Sequence, residues 1–391
     1  MGLKTIRWIY GKSHSFNELC TEKFCNANFH LLLYTKCRAS DIFLKMIRTE
    51  LATLGEFGLI ERINQQFTPV LPQTIKGIGD DAAVIDTATE EYLLVSTDML
   101  VEGVHFDLSY VPLKHLGYKA IAVNVSDIAA MNGIPRQVTV SIGLSNRFSV
   151  EAIDELYAGI QAACEAYKVD LVGGDTTSSR SGLLISVTAV GVVDKTKISY
   201  RNGAQPNDII CITGDLGAAY MGLQLLEREK REFLENPEMQ PQLEDKSYLV
   251  GRQLKPEART DIVYELLEAG VVPTSMIDIS DGLASEILHL CNQSGTGAQV
   301  FEENVPIADD TFLTADEFKI SPLTIALNGG EDYELLFTIK QSDYEKIKNS
   351  PHISFAGFMT NDPTNVELVT KGGSRFPIKA QGWQHLTNQP S

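Results

Sequence analysis

The chain lacks most of what a secreted, membrane-spanning or polyanion-binding protein needs. Its six cysteines form no Cys-x-x-Cys pair: Cys20, Cys25 and Cys37 fall in the first 45 residues, and Cys164, Cys211 and Cys291 sit singly in apolar contexts. A disulfide framework is therefore not expected, and a reducing, cytoplasmic location is. No stretch approaches the roughly 18 apolar residues that span a bilayer, so no membrane partner is expected. Basic residues are outnumbered 33 to 51, and a formal net charge of -18 disfavours nucleic acid and anionic lipid alike. There is no G-x-x-x-x-G-K-[ST] loop either, because Gly11-Lys12-Ser13 has no preceding glycine at the required spacing. Any phosphate-transfer chemistry must use a fold other than the P-loop.

What remains is a 391-residue chain, 43% hydrophobic, long enough for two or three domains with their own cores. Residues 1–45 differ from the rest, with seven Lys or Arg against three acids. They lack a cleavage-site pattern and read as a poorly ordered extension ahead of Met46, where MIRTELATLGEFGLIERI predicts an amphipathic helix. From Pro72 onward, short β-branched runs alternate with helical patterns, the signature of an α/β protein with mixed sheets. YLLVS (92–96), AIAVNVS (120–126), VTVSIGL (138–144), DLVGG (170–174) and LLISVTAVGVV (183–193) read as strands or strand ends. VEAIDELYAGIQAACEAYK reads as a helix with Ser149 as N-cap. The polar, turn-rich SYRNGAQPND predicts a boundary near residue 200, giving domains 46–200 and 201–391. Beyond it, DIICITGDLGAAYMGLQLL reads as strand, glycine turn and helix, and residues 227–246 as an exposed charged insertion. DIVYELLEAG reads as a helix ending at glycine, MIDISDGLASEILHLC as strand, turn and helix, and IALNGGEDYELLFTI as strand, acidic turn and strand.

Carboxylates recur at the ends of these runs: GIGDDAAV (Asp80, Asp81), VSTDML (Asp98), VNVSDIAAM (Asp127), LVGGDTTSS (Asp175), IDISDGL (Asp278, Asp281) and LNGGEDYEL (Glu331, Asp332). One Asp beside Ser or Gly is ordinarily a turn former or a helix cap. Six such stretches in the same context point instead to convergence at strand ends, where α/β proteins build their sites. Two carboxylates about 4 Å apart repel by roughly 4 kcal/mol at an effective dielectric of 20, so a convergent cluster calls for cations. Oxygen donors without His or Cys suit Mg²⁺ that is shared with substrate phosphates. Ser96, Thr97, Thr176, Thr177 and Ser280 flank the acids and offer hydroxyls. Gly77, Gly79 and Ala82, with Asp98 downstream, also match a dinucleotide fingerprint, but AAVID and YLLVS look like a hairpin and no helix opens at the glycines.

Further candidates carry plainer alternatives. His105 is a loop histidine, Arg201 an exposed linker arginine or a phosphate clamp, Tyr157 part of a helical apolar stripe or a nucleotide contact, and Trp383 a tail anchor or a stacking platform.

Taken together, GIGDDAAV, STDMLVEGVHF, AVNVSDIAAMNG, LVGGDTTSS, IDISDGLASEI and LNGGEDYELLFT resemble, in order and spacing, the motifs of the thiamine-monophosphate kinase family. The resemblance runs from about Met46 to about Leu386. That family belongs to a superfamily typified by aminoimidazole ribonucleotide synthetase, which binds ATP without a P-loop. The resemblance implies a two-domain fold of that type, dimerisation through the N-terminal sheet, and a cleft where ATP phosphorylates thiamine phosphate with several Mg²⁺ ions. It implies Asp81, Ser96, Thr97, Asp98, Asp127, Asp175, Asp278 and Asp281 as metal ligands, and Tyr157, Gly174, Asp175, Arg201 and Ser280 as ATP contacts. His105, Glu331 and Trp383 would meet thiamine phosphate, and Asp127 and Arg201 would serve the transfer. The alternatives are another ATP-dependent superfamily member, of the selenophosphate or aminoimidazole ribonucleotide synthetase type, or a non-catalytic nucleotide- or metal-binding protein. No cysteine here sits in the glycine-rich context expected of selenophosphate synthesis.

Overall fold

In the computed structural model, which describes residues 50–381, the first half of the chain forms a six-stranded sheet. Its strands are β1 (Thr74–Lys76), β2 (Ala83–Asp86), β3 (Glu91–Val101), β4 (Ile134–Leu144), β5 (Asp170–Ser178) and β6 (Leu184–Asp194), in the order β1-β2-β3-β6-β4-β5. The β2–β3 hairpin is the one AAVID and YLLVS predict, with Val84 opposite Leu94. Only β4 and β5 are parallel. A parallel neighbour needs a crossover, and the helix Val150–Tyr167 provides it. Residues alternate between buried and half-buried along β6, so one face of the sheet is packed and the other is not.

The packed face is covered by two helices. With α1 (Gly55–Asn64) preceding the sheet, these are α2 (Leu113–Ala130) and α3 (Val150–Tyr167). They cross closely because both carry glycine at the contact. A Cβ on Gly117 would lie 2.0 Å from the Leu156 carbonyl oxygen, and one on Gly159 would lie 1.8 Å from that of Lys114. Ser149 caps α3 as its sequence predicts, its Oγ accepting from the Ala152 N–H.

The second half forms a seven-stranded sheet from β7 (Ile209–Thr213), β8 (Ser275–Ile279), β9 (Gly297–Phe301), β10 (Glu334–Ile339), β11 (Ile353–Thr360), β12 (Val366–Val369) and β13 (Arg375–Pro377). The order is β13-β12-β9-β11-β7-β10-β8. Helices α4 (Ala218–Glu235), α5 (Ser247–Leu254), α6 (Thr260–Ala269), α7 (Leu283–Ser294), α8 (Asp309–Phe318), α9 (Pro322–Asn328) and α10 (Tyr344–Ile347) complete it. Gly270 ends α6 in the left-handed conformation, as DIVYELLEAG predicts. Ala129 and Ala130 of α2 share an apolar cluster with Cys211, Met276 and Phe337 of the second sheet, so α2 packs against both sheets.

Three sequence readings are corrected. AIAVNVS is not a strand but the middle of α2, of whose eighteen residues fourteen are buried. A helix apolar on every side shows no amphipathic period, and its β-branched residues imitate a strand. IALN belongs to α9, which starts at Ser321, whose Oγ accepts from the Thr324 N–H, and Pro322, a start signal the apolar run concealed. Of the stretch read as an exposed charged insertion, residues 231–246 are mostly exposed, but 227–235 continue α4 and 227–230 are packed. There Tyr110 donates to Glu227 at 2.7 Å, Lys230 pairs with Asp107 at 2.6 Å, and Glu229 is buried. The helix predicted from Met46 spans Gly55–Asn64. Residues 1–45 and Trp383 lie outside the described residues.

Candidate active site

Three of the sequence-predicted acids meet. Asp81 follows the Gly79 turn that leads into β2, Asp127 lies on the last turn of α2, and Asp278 lies on β8. One carboxylate oxygen from each lies within 4.8 Å of the others. The sheets of both halves are needed for this, with α2 as the bridge between them.

Side chains around the triad fix its orientation. Ser96 on β3 donates to Asp127 Oδ2, and Ser126 donates to Asp278 Oδ2 at 2.6 Å. Asn124, one turn before Asp127, accepts the Asp98 N–H at 3.0 Å and thereby ties β3 to α2. Arg201 grips Asp81 with both arms of its guanidinium, Nη2 to Oδ1 at 2.6 Å and Nε to Oδ2 at 3.1 Å. Its backbone N–H donates to Asp80 Oδ1 at 3.1 Å, while Lys76 lies 3.4 Å from the other Asp80 oxygen. Asp80 is thus a turn holder that seats Arg201, and Asp81 is the acid presented to the cluster.

The electrostatics follow from this crowding. Burial, then Asp98, Asp278 and Asp81, push the Asp127 carboxyl well above its ordinary range. Burial and then Asp81 raise Asp278 to about 7 and Asp98 to about 6. These carboxylates resist ionisation in one another's company, and a cation among them relieves the repulsion. The donors are all hard oxygens, and Arg201 supplies only one positive charge. The residues present therefore fit a hard divalent cation held by Asp81, Asp127 and Asp278.

The turn after β8 is locked to the acidic turn before β10. Glu331 donates its N–H to the Ser280 carbonyl at 2.7 Å, and Tyr333 donates to that of Ile279 at 2.9 Å. Gly330 adopts φ +71°, and a Cβ there would meet the Ser280 oxygen at 2.6 Å. Ser280, Asp281 and Glu331 are thereby brought together beside the triad, and Glu286 accepts the Asp281 N–H at 2.8 Å.

Other predicted residues go elsewhere. Tyr157, Gly174 and Asp175 line a separate cavity of about 450 Å³ between α3 and the edge strand β5, with Val140, Leu171 and Thr176. Asp98 pairs across β6 with Val187, which pairs with Val140 on β4, which pairs with Gly174 on β5. Three strand spacings amount to roughly 14 Å, so Asp175 does not join the triad within one chain. Thr97 turns to the opposite face from Ser96, its Oγ1 donating to the Val187 carbonyl at 2.9 Å. His105 folds back on its own strand end, its Nδ1 accepting the Val101 N–H at 3.0 Å. Sequence reasoning missed Asn124, Ser126, Lys119 and Gln253. The first three are polar residues within the apolar run of α2, a signal hidden once that run is read as a strand.

Comparison with known proteins gives the class first. Residues 79–193 match the family described as AIR synthase related protein, N-terminal domain, and the fold is the mixed α/β type of that group. Thiamine-monophosphate kinases of Aquifex aeolicus and Bacillus subtilis are similar along nearly their whole length. They are 34% and 35% identical over 340 and 344 residues, covering 86% and 85% of this chain and 99% and 100% of the relatives. A solved structure described as AaThiL complexed with AMPPCP and TMP matches with TM-score 0.73 at 33% identity, covering 87% of this chain and 99% of that one. The chain belongs to the thiamine-monophosphate kinase family and is an enzyme of the kinase class.

Proposed function

We propose that this protein transfers the terminal phosphoryl group of ATP to the phosphate of thiamine monophosphate, releasing ADP and thiamine diphosphate. The observation that carries this reading is the Asp81, Asp127 and Asp278 triad with Arg201 at its edge. Donor and acceptor both bring phosphates, and a site of bare carboxylates would repel them. Mg²⁺ held by the triad would join carboxylates to phosphates and neutralise charge on the transferred group. The remaining work falls to the chain's own residues. Ser96 and Ser126 aim Asp127 and Asp278. Arg201 seats on a phosphate as its bond to Asp81 is given up. No general base is needed, because the acceptor oxygen is already ionised, and in-line transfer without a covalent intermediate is the simplest path.

The cavity beside Tyr157 takes the nucleotide, with Gly174 offering backbone and Asp175 a further metal ligand. Residues 46–200 then act as the metal-binding, ATP-binding and dimerisation domain and 201–391 as the second α/β domain. Glu331, with Ser280 beside it, meets the thiamine end, and His105 and Trp383 are its proposed neighbours. A homodimer is part of this proposal. Leu171 and Val172 on β5 and Met99 on β3 are exposed apolar residues of the first sheet, and a second copy would cover them. A second copy would also bring another β5 within reach of the distant triad.

Coupled measurement of ADP release tests the reading. Thiamine phosphate should support turnover in the presence of Mg²⁺, while free thiamine and aminoimidazole precursors should not. Release that is indifferent to thiamine phosphate would sink it.

A further inference from the structure

One buried cation lies outside the machinery just described. Lys119 has a side chain only 4% exposed, on the face of α2 that looks toward the second half of the chain. Its Nζ lies 3.0 Å from both oxygens of Glu331 and donates to the Gln253 carbonyl at 3.3 Å. Gln253 closes the set by donating its Nε2–H to Glu331 Oε2 at 2.7 Å. A buried ammonium is costly unless it is paired and hydrogen-bonded, and here its charge is paired with one carboxylate that Gln253 also holds.

Geometry gives this arrangement a purpose. Lys119 and Ser126 are seven residues apart, so they lie on one helix face, separated by roughly 10 Å of rise. Ser126 holds Asp278 of the triad, and Lys119 holds Glu331. One rigid helix therefore sets the distance between the place where phosphates meet and the carboxylate proposed to read the acceptor's ring. Glu331 also stands at φ +58°, a conformation that non-glycine residues seldom adopt, with its N–H tied to Ser280. Its side chain is 29% exposed, so part of the carboxylate remains accessible while Lys119 and Gln253 hold it.

We infer that Lys119 and Gln253 are positioning residues that fix Glu331 as a hydrogen-bond acceptor for the nitrogen-rich ring of the acceptor, and so determine acceptor specificity rather than phosphoryl transfer. With its charge balanced from behind, Glu331 recognises an N–H by direction more than a cation by attraction. This rests on the kinase reading above and names how that site selects its second substrate.

The test compares full-length wild type with Lys119→Met, Lys119→Arg, Glu331→Gln and the double variant Lys119→Met/Glu331→Gln. Initial rates are taken against thiamine phosphate and, separately, against ATP, and calorimetric titration gives thiamine phosphate binding. A hydrogen bond to a charged group is worth roughly tenfold in affinity, so Lys119→Met should raise the acceptor KM and Kd about tenfold or more. Its kcat and ATP KM should stay within about twofold of wild type, which a general structural defect would not allow. The double variant should be no worse than the poorer single, and Lys119→Arg should recover part of the loss. Lys119→Met that binds acceptor like wild type, or that changes only kcat or the ATP KM, overturns the inference while the kinase reading stands. Wild type that neither binds nor turns over thiamine phosphate overturns both.

Discussion

Arg201 holds Asp81 through two hydrogen bonds, across 120 residues of sequence and between the two halves of the chain. The Asp81 side chain is fully buried there, so the guanidinium is its counter-charge. On the proposed reading, a cation held by the triad would take over that duty and leave Arg201 for phosphate, so that loop and linker would be held by a pair exchanged during function.

Arg201→Met separates these two roles. In metal-free protein it leaves Asp81 buried without a partner, a loss of roughly 3 kcal/mol, visible as a lower midpoint in urea unfolding. Added Mg²⁺ should raise the midpoint more in the variant than in wild type, because the cation then replaces the missing charge. Turnover should still fall by about a hundredfold, since one preorganised donor to the phosphates is gone. Equal Mg²⁺ responses in both proteins would show that Asp81 is not shared between the metal and Arg201.

Asp127→Asn should give the opposite pattern. Removing one of three crowded carboxylates relieves repulsion, so the metal-free variant should unfold no earlier than wild type. Mg²⁺ should then fail to stabilise it, and activity should fall on the order of a thousandfold. Circular dichroism distinguishes this from misfolding, and an unfolded variant would assign Asp127 a structural role instead.

The raised carboxyls predict the pH dependence of the metal-free protein. Asp278 at about 7 and Asp98 at about 6 bind protons in the folded state that the unfolded chain has already lost above its ordinary carboxylate range. The folded state therefore holds more protons between pH 5 and 7, and stability must fall as pH rises through that window. Acids held low, such as Asp107 at about 2, act in the other direction but only at lower pH. Asp332, raised to about 7 by burial, lies outside the triad and should keep part of the slope when Mg²⁺ is present. Melting temperatures in EDTA and in Mg²⁺ across pH 5–8 check this, and parallel curves would refute it.

The acids of the site were legible as candidates because they recur beside Gly and Ser at the ends of apolar runs, but only the structure singles out Asp81, Asp127 and Asp278 from the wider set. What supports them was not legible. Asn124, Ser126 and Lys119 lie in AIAVNVS and just before it, where a helix buried on all sides has no polar face to betray its period. Gln253 sits on α5, which follows the stretch read as a charged insertion, and nothing local marks it as a partner of Glu331. Asp175 shows the converse limit: its motif looks like the others, yet sheet order puts it three strands away from Asp98. Spacing along a chain does not encode strand order.

The crossing of α2 and α3 sets Asp127 of the triad on one helix against Tyr157, which lines the cavity beside β5, on the other, and it depends on two glycines. A methyl at Gly159 would sit 1.8 Å from the Lys114 carbonyl oxygen, and one at Gly117 would sit 2.0 Å from that of Leu156. In both cases the obstacle is backbone, which cannot rotate away as a side chain would. Gly159→Ala must therefore push the helices apart, at a cost of roughly 1–3 kcal/mol, with Asp127 displaced on one helix and Tyr157 on the other. Denaturant unfolding should show the loss, and the ATP KM should rise alongside it. Gly251 on the nearby α5 meets nothing within 4 Å of an added Cβ, so Gly251→Ala should leave both quantities close to wild type. If the two substitutions behaved alike, helix propensity rather than the close crossing would be setting the geometry of the site.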